Sequence, residues 1–181
     1  WVGARRFGPA RRWIPGGGAH PRGVIGHLLA TLELATQLDA ARPPDAIVVP
    51  LGTGGTAAGI GLGVAWLGWQ TRVIAVRVAP RLVANRWRTL RLAKMAARLL
   101  EARGLPFRIP QSAIRMEVLD GLGRGYGHPT PTGARAEELA AQHGLRLDAT
   151  YGAKAFGFLL QRALRPADLQ RVVFWQTFPW P

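Results

Sequence analysis

Apolar and polar positions run along this chain in blocks, and the clearest block lies between Ala46 and Thr71, where no residue is charged. Such a run is long enough to cross a bilayer, but Pro50 and the glycines after it would break a spanning helix. Its two apolar halves, Ala46 to Val49 and Ala57 to Trp69, have the lengths of a buried strand and a buried helix. A strand, a tight glycine turn and an alanine-rich helix are therefore expected, and no membrane span. The same reading gives a first helix over His20 to Leu38, ending before the Arg42-Pro43-Pro44-Asp45 turn. Strands follow over Ala46 to Pro50 and Arg72 to Val78, with a helix over Thr56 to Leu67 between them. A long helix over Arg81 to Arg103 stops at Gly104, and Ile114 to Leu119 reads as a short strand. Thr132 to His143 forms a helix under a threonine cap that ends at Gly144, and Ala153 to Leu164 the last helix before a strand over Val172 to Thr177. Strands alternating with helices require a parallel sheet covered on both faces. The expected fold class is thus α/β, a three-layer parallel sheet with helices on both faces.

Within Arg81 to Arg103, Val83, Trp87, Leu90, Met95 and Leu99 fall near one face among arginines, the pattern of a surface helix whose apolar stripe packs on the core. Trp66, Trp69, Trp87 and Trp175 all lie in apolar elements, so core packing is expected for each.

The turn Gly52-Thr53-Gly54-Gly55-Thr56 carries the chemistry. Backbone N–H groups at a helix N-terminus lack intrahelical partners and sit at the positive end of the helix dipole, and glycines let an anion approach them with no Cβ in the way. A phosphate-bearing ligand is expected there, at the carboxyl end of a parallel strand, where open α/β sheets bind ligands. Gly52-x-Gly54-x-x-Ala57 fits the relaxed dinucleotide fingerprint, whereas the Walker pattern fails because no Gly-Lys-Ser/Thr follows. A dinucleotide site also needs an acidic residue at the end of the next strand, and Val73 to Val78 offers only Arg77, which argues against NAD and leaves NADP open. The plain alternative is a glycine turn that only packs a helix closely on a strand.

Three further segments, in order around that loop, narrow the choice. Trp13-Ile14-Pro15-Gly16-Gly17-Gly18-Ala19-His20-Pro21-Arg22-Gly23, Gly125-Tyr126-Gly127-His128-Pro129 and Asp148-Ala149-Thr150-Tyr151-Gly152-Ala153-Lys154-Ala155 resemble the D-cysteine desulfhydrase and 1-aminocyclopropane-1-carboxylate deaminase family. Its members are pyridoxal-phosphate enzymes of fold type II, relatives of the tryptophan synthase β-subunit. The resemblance extends over nearly the whole chain but corresponds to the middle and C-terminal parts of such an enzyme. It implies a fold type II large domain lacking its N-terminal part. Residues 1–181 are accordingly expected to form one pyridoxal-phosphate-binding α/β domain, with part of the smaller domain near the N-terminal region.

The implied cofactor is pyridoxal 5′-phosphate, its phosphate held by Gly52, Thr53, Gly54, Gly55 and Thr56. Tyr126 and Tyr151 match family tyrosines close to cofactor and substrate, where a phenol can shuttle a proton or orient the substrate. Taken without the resemblance, each would more commonly pack its ring with the hydroxyl satisfied. The implied substrate is a small amino acid such as D-cysteine, whose β-substituent is expelled to leave pyruvate and ammonia, and the complete enzyme is expected to be a homodimer.

Departures from the family pattern matter as much. Its Schiff-base lysine lies in an N-terminal segment, after an asparagine and before a serine-rich loop, and nothing ahead of Trp13 resembles either. Only Lys94 and Lys154 are present. Lys94 sits in the basic helix and Lys154 matches a different family lysine, so neither is expected to carry the cofactor. Gly152 stands where the deaminases have a glutamate that can pair with the pyridine nitrogen and the desulfhydrases a threonine, which favours elimination over deaminase chemistry. Phe178-Pro179-Trp180-Pro181 replaces the glycine pair expected after the last strand. Beginning at Trp1, the chain reads as a fragment that is inactive alone.

Composition adds exclusions. A net charge of +14 invites a nucleic-acid partner, but the charge is spread, consists almost wholly of arginine and accompanies no nucleic-acid fold signature, so none is expected. The absence of cysteine excludes disulfides, thiolate zinc sites and cysteine nucleophiles, and a cytoplasmic location is expected. His20, His27, His128 and His143 lack the spacing of a metal site or a hydrolytic triad, and no metal is expected. For His20 a capping or solvent-facing place is preferred to one facing the cofactor.

Overall fold

The computed structural model describes residues 14–39, 42–163 and 169–177. Its elements, in chain order, are α1 (Pro21–Gln37), β1 (Ala46–Leu51), α2 (Gly55–Trp66), β2 (Arg72–Arg77), α3 (Arg86–Glu101), β3 (Met116–Asp120), α4 (Pro131–Gln142), α5 (Gly152–Ala163) and β4 (Val172–Phe174). The four strands form one parallel sheet in the order β3-β2-β1-β4. Alternation along the central strands sorts side chains to two faces. Ile47, Val49, Leu51, Val73 and Ala75 pack beneath α1, α2 and α3, while Val48, Ile74 and Val76 pack with Ala155 and Phe158 of α5. The expected three layers are therefore present, and β1, buried from Ala46 to Val49, carries the β-branched run Ile47-Val48-Val49 that a doubly covered strand requires.

Helix α2 is apolar all round and is buried from Ala57 to Val64. Its glycines let α1 come close: a Cβ at Gly59 would lie 2.5 Å from both the His27 Cβ and the Val24 carbonyl oxygen, and one at Gly63 would lie 2.5 Å from the Thr31 Cβ. Asp45 joins the start of β1 to β4, its Oδ2 accepting the backbone N–H groups of Gln170 and Arg171, each at 2.8 Å.

The basic helix differs from expectation. It begins at Arg86, not Arg81, because Asn85 is extended and its Oδ1 accepts from the Arg88 N–H at 2.9 Å, ending the preceding turn. Its buried face is Thr89, Leu90, Leu92, Ala93, Ala96, Ala97 and Leu100, so the stripe drawn through Val83, Trp87 and Met95 was wrong. Alanines form the seam because α3 packs closely on α2. Trp66 and Trp87 correct the core expectation too, at 43% and 67% exposed. Trp66 stacks on Phe107 with ring centroids 4.5 Å apart, and Trp87 lies under the Arg91 guanidinium. The cap of α4 is Thr130, with Pro131 in the first turn, and β4 ends at Phe174. Trp13 and the Phe178 to Pro181 segment fall outside the described residues.

Candidate functional site

Strand β1 has β2 on one side and β4 on the other, so the strand order reverses at its carboxyl end. Chain crossovers leave a crevice at such a point, and the loop from Gly52 to Gly54 lies in it. Gly54 caps α2 at φ +92° with no side-chain hydrogen bond, and the first helical bond runs from the Ala58 N–H to the Gly54 carbonyl at 2.9 Å. The amides ahead of Ala58 thus have no partner within the helix. A Cβ at Gly54 would stand 2.7 Å from Thr89 Oγ1, and one at Gly17 (φ +64°) 2.5 Å from Thr53 Oγ1. Both glycines are needed for the loop, the entry turn and α3 to converge.

The resulting cleft of about 510 Å³ is lined by all five loop residues, Gly52, Thr53, Gly54, Gly55 and Thr56, by Tyr126 and Tyr151, and by Gly16, Gly17 and Thr177. Residues 25 positions apart meet there: the Tyr126 and Tyr151 hydroxyls are 2.5 Å apart, with the rings edge to face at 5.9 Å. Sequence reasoning missed the apolar rim of Ala79, Pro80 and Val83, whose small or single apolar side chains carry no motif.

Each tyrosine is held by its own device. Asp148 Oδ1 accepts the Thr150 and Tyr151 amides and its Oδ2 the Gly152 amide, so the carboxylate caps α5 and places Tyr151 at the helix mouth. An aspartate three residues ahead of a tyrosine that opens a helix was a readable capping signal. Lys154, one turn further along α5 and 1% exposed, donates from Nζ to the Leu122 and Gly125 carbonyls, both at 2.9 Å. It thereby anchors the loop that carries Tyr126, and burial lowers its pKa from the ordinary lysine value. Burial also raises Tyr151, to about 12, reinforced by the hydrogen bond and charge of Tyr126 and by the charge of Asp148. At neutral pH its phenol keeps its proton.

Neither lysine lines the cleft: Lys94 borders a separate groove beside Arg98 and Phe107. Arg77 is engaged elsewhere, with Nη1 3.0 Å from Asp120 Oδ2 and Nε 2.9 Å from the Ala84 carbonyl, which removes the group on which an NADP reading rested. His20 caps α1, its Nδ1 accepting from the Arg22 N–H at 3.2 Å. Among the described residues, no group of histidines and carboxylates is arranged to hold a metal, and no helix is long and apolar enough to cross a membrane.

An open helix N-terminus at the switch point of a doubly wound sheet is the kind of place where α/β proteins take phosphate-bearing ligands. A family profile described as "Pyridoxal-phosphate dependent enzyme" matches residues 5–177, and the chain belongs to that family. It is 36% identical over 168 residues to nocardicin C-9′ epimerase of Nocardia uniformis subsp. tsuyamanensis, an alignment covering 91% of this chain and 49% of that protein. It is 31% identical over 149 residues to D-cysteine desulfhydrase of Klebsiella pneumoniae (strain 342), covering 81% and 43%. The crystal structure of an ACC deaminase homologue matches it with a TM-score of 0.72 at 30% identity, covering 89% of this chain and 46% of that one. The chain thus spans about half the length of these relatives. Family membership implies dependence on pyridoxal phosphate, and the residues present fit its phosphate: amides without a partner inside the helix, a cradle that a Cβ would fill, and the hydroxyls of Thr53 and Thr56.

Proposed function

We propose that this chain is the phosphate-holding part of a pyridoxal-phosphate-dependent lyase of the D-cysteine desulfhydrase type, acting on a small amino acid to give pyruvate and ammonia. The carrying observation is that the glycine cradle and the tyrosine pair face one cleft. The Gly54, Gly55, Thr56 and Ala57 amides would hold the phosphate, with Thr53 and Thr56 adding hydroxyls. When bound, pyridoxal phosphate supplies an electron sink that eases removal of a proton from the substrate α-carbon. Tyr126 donates a hydrogen bond or a proton to the departing β-substituent, and Tyr151, its proton retained and directed at Tyr126 across the 2.5 Å contact, replenishes it. Pro80, Val83 and Ala79 give that step an apolar wall. Turnover needs an amine that this chain does not place at the cleft, so the chain alone holds the cofactor without turning over D-cysteine. The complete enzyme is proposed to be a cytoplasmic homodimer.

The reading is tested by titrating pyridoxal 5′-phosphate into the chain and reducing the mixture with borohydride. Saturable binding is expected, with no reduced adduct in the mass spectrum, and Gly54→Ala is expected to weaken binding at least tenfold because its Cβ meets Thr89 Oγ1 at 2.7 Å. An adduct on Lys154 together with sulfide release from D-cysteine would refute it. A second reading draws on the epimerase relative at 36% identity. In it the α-proton is returned to the opposite face and no bond to the β-substituent breaks, so deuterium enters from solvent without pyruvate formation when the complete enzyme is assayed.

A further inference from the structure

His27 belongs to no motif in this chain, yet the fold brings it to the phosphate cradle. Its Nε2 lies 3.0 Å from Thr56 Oγ1, across 29 positions of sequence. The contact is set by packing: Gly59 presents no Cβ where one would sit 2.5 Å from the His27 Cβ, so α1 rides on the glycine face of α2 with the imidazole beside the first turn. Thr56, in that first turn, also lines the cleft. A threonine hydroxyl has one proton to donate and two lone pairs. If that proton goes to the imidazole, none is left for a phosphate oxygen.

We propose that His27 is a positioning residue for the phosphate, donating Nε2–H to Thr56 Oγ1 and so turning the single hydroxyl proton of Thr56 into the cleft. The inference rests on the cofactor reading above and adds to it a residue that the motifs do not contain. Two observations bear on the charge of the ring. Helix α2 has no charged residue between Gly55 and Trp66, so it offers no carboxylate to hold the imidazole in its charged form. Burial, the one resolved cause acting on the ring, lowers the His27 pKa from its ordinary value. At neutral pH the ring is therefore uncharged, and its single proton resides on one nitrogen or the other. The tautomer then decides whether Thr56 faces the phosphate as donor or not.

Calorimetric titration with pyridoxal 5′-phosphate should compare the wild type with His27→Phe, His27→Gln, Thr56→Val and the double variant His27→Phe/Thr56→Val. Loss of one hydrogen bond to a charged acceptor weakens binding by about tenfold, and that loss is expected for His27→Phe and for Thr56→Val. His27→Gln, which keeps a side-chain N–H donor, recovers most of the affinity. The double variant binds no more weakly than Thr56→Val, because both changes remove the same interaction. Nitrogen shifts of histidine-labelled wild type should place the proton on Nε2. Wild-type affinity in a folded His27→Phe, additive losses in the double variant, or a proton on Nδ1 would each overturn the proposal. The tautomer measurement decides on its own where His27→Phe does not fold. A wild type that fails to bind the cofactor overturns the cradle reading, and this one with it.

Discussion

Replacing Tyr126 by phenylalanine isolates the chemistry of the cleft, because Tyr126 and Tyr151 are the only tyrosines in the chain. The near-ultraviolet absorbance of the phenolate in Tyr126→Phe then reports Tyr151 alone. In the intact pair Tyr151 is raised from 10.0 to about 12, by burial first and then by Tyr126 and Asp148. At ~1.4 kcal/mol per unit, the shift corresponds to roughly 2–3 kcal/mol against ionisation at most, reduced by solvent at the mouth of the cleft. A neutral hydrogen bond accounts for about 1 kcal/mol of this. Tyr126→Phe should therefore lower the Tyr151 midpoint by somewhat under one unit, leaving it above the ordinary tyrosine value because burial remains. The same linkage sets alkaline stability. A folded-state value above the unfolded one means that between pH 10 and about 12 the native state binds more protons, so stability is full below pH 10 and falls as pH rises through that window. In Tyr126→Phe the window narrows from its upper end. An unchanged midpoint in a folded variant would refute the reasoning by showing that Tyr126 contributes nothing, and a higher one by showing that Tyr126 donates to Tyr151 and stabilises the phenolate.

Among the described residues, Lys154→Met removes the only side-chain donor to the Leu122 and Gly125 carbonyls. It should cost about 1–3 kcal/mol by chemical denaturation and bring the Tyr151 absorbance midpoint down as the Tyr126 loop drifts away; an unchanged midpoint in the folded variant would show that the loop holds without the ammonium. Gly59→Ala forces α1 off α2 and should destabilise by about 1–3 kcal/mol, measured as a lower urea midpoint at constant slope. Asp45 is held below its ordinary value by the backbone N–H of Arg171, then that of Gln170, opposed by burial and assisted by the Arg72 and Arg171 charges. Its contribution is present above the unfolded value of 3.8 and lost as pH falls through the depressed folded value, so Asp45→Asn should flatten the acid limb of a thermal-melt profile.

Local pattern determined much of this protein. The uncharged block, Pro50 and the glycines define β1, the turn and α2 to within a residue or so, because strand length, helix length and turn chemistry are properties of adjacent residues. Alternation of strands and helices then implied the three layers, and the glycine turn its place at the carboxyl end of a strand. Pairings distant in sequence lay beyond that reach. Which face of α3 is buried depended on how closely alanines allow it to pack on α2, and the arginine-studded sequence offered Trp87 and Met95 as a false stripe. Asp120 claims Arg77 from the neighbouring strand β3, a partner 43 positions away. The contact of His27 with Thr56 and the grip of Lys154 on the Tyr126 loop span 29 and 32 positions at their widest. The first follows from packing α1 on the glycine face of buried α2, the second from packing α5 on the opposite face of the sheet. Burial leaves each enclosed polar group to find its partner in space, and only the tertiary structure specifies which one it finds.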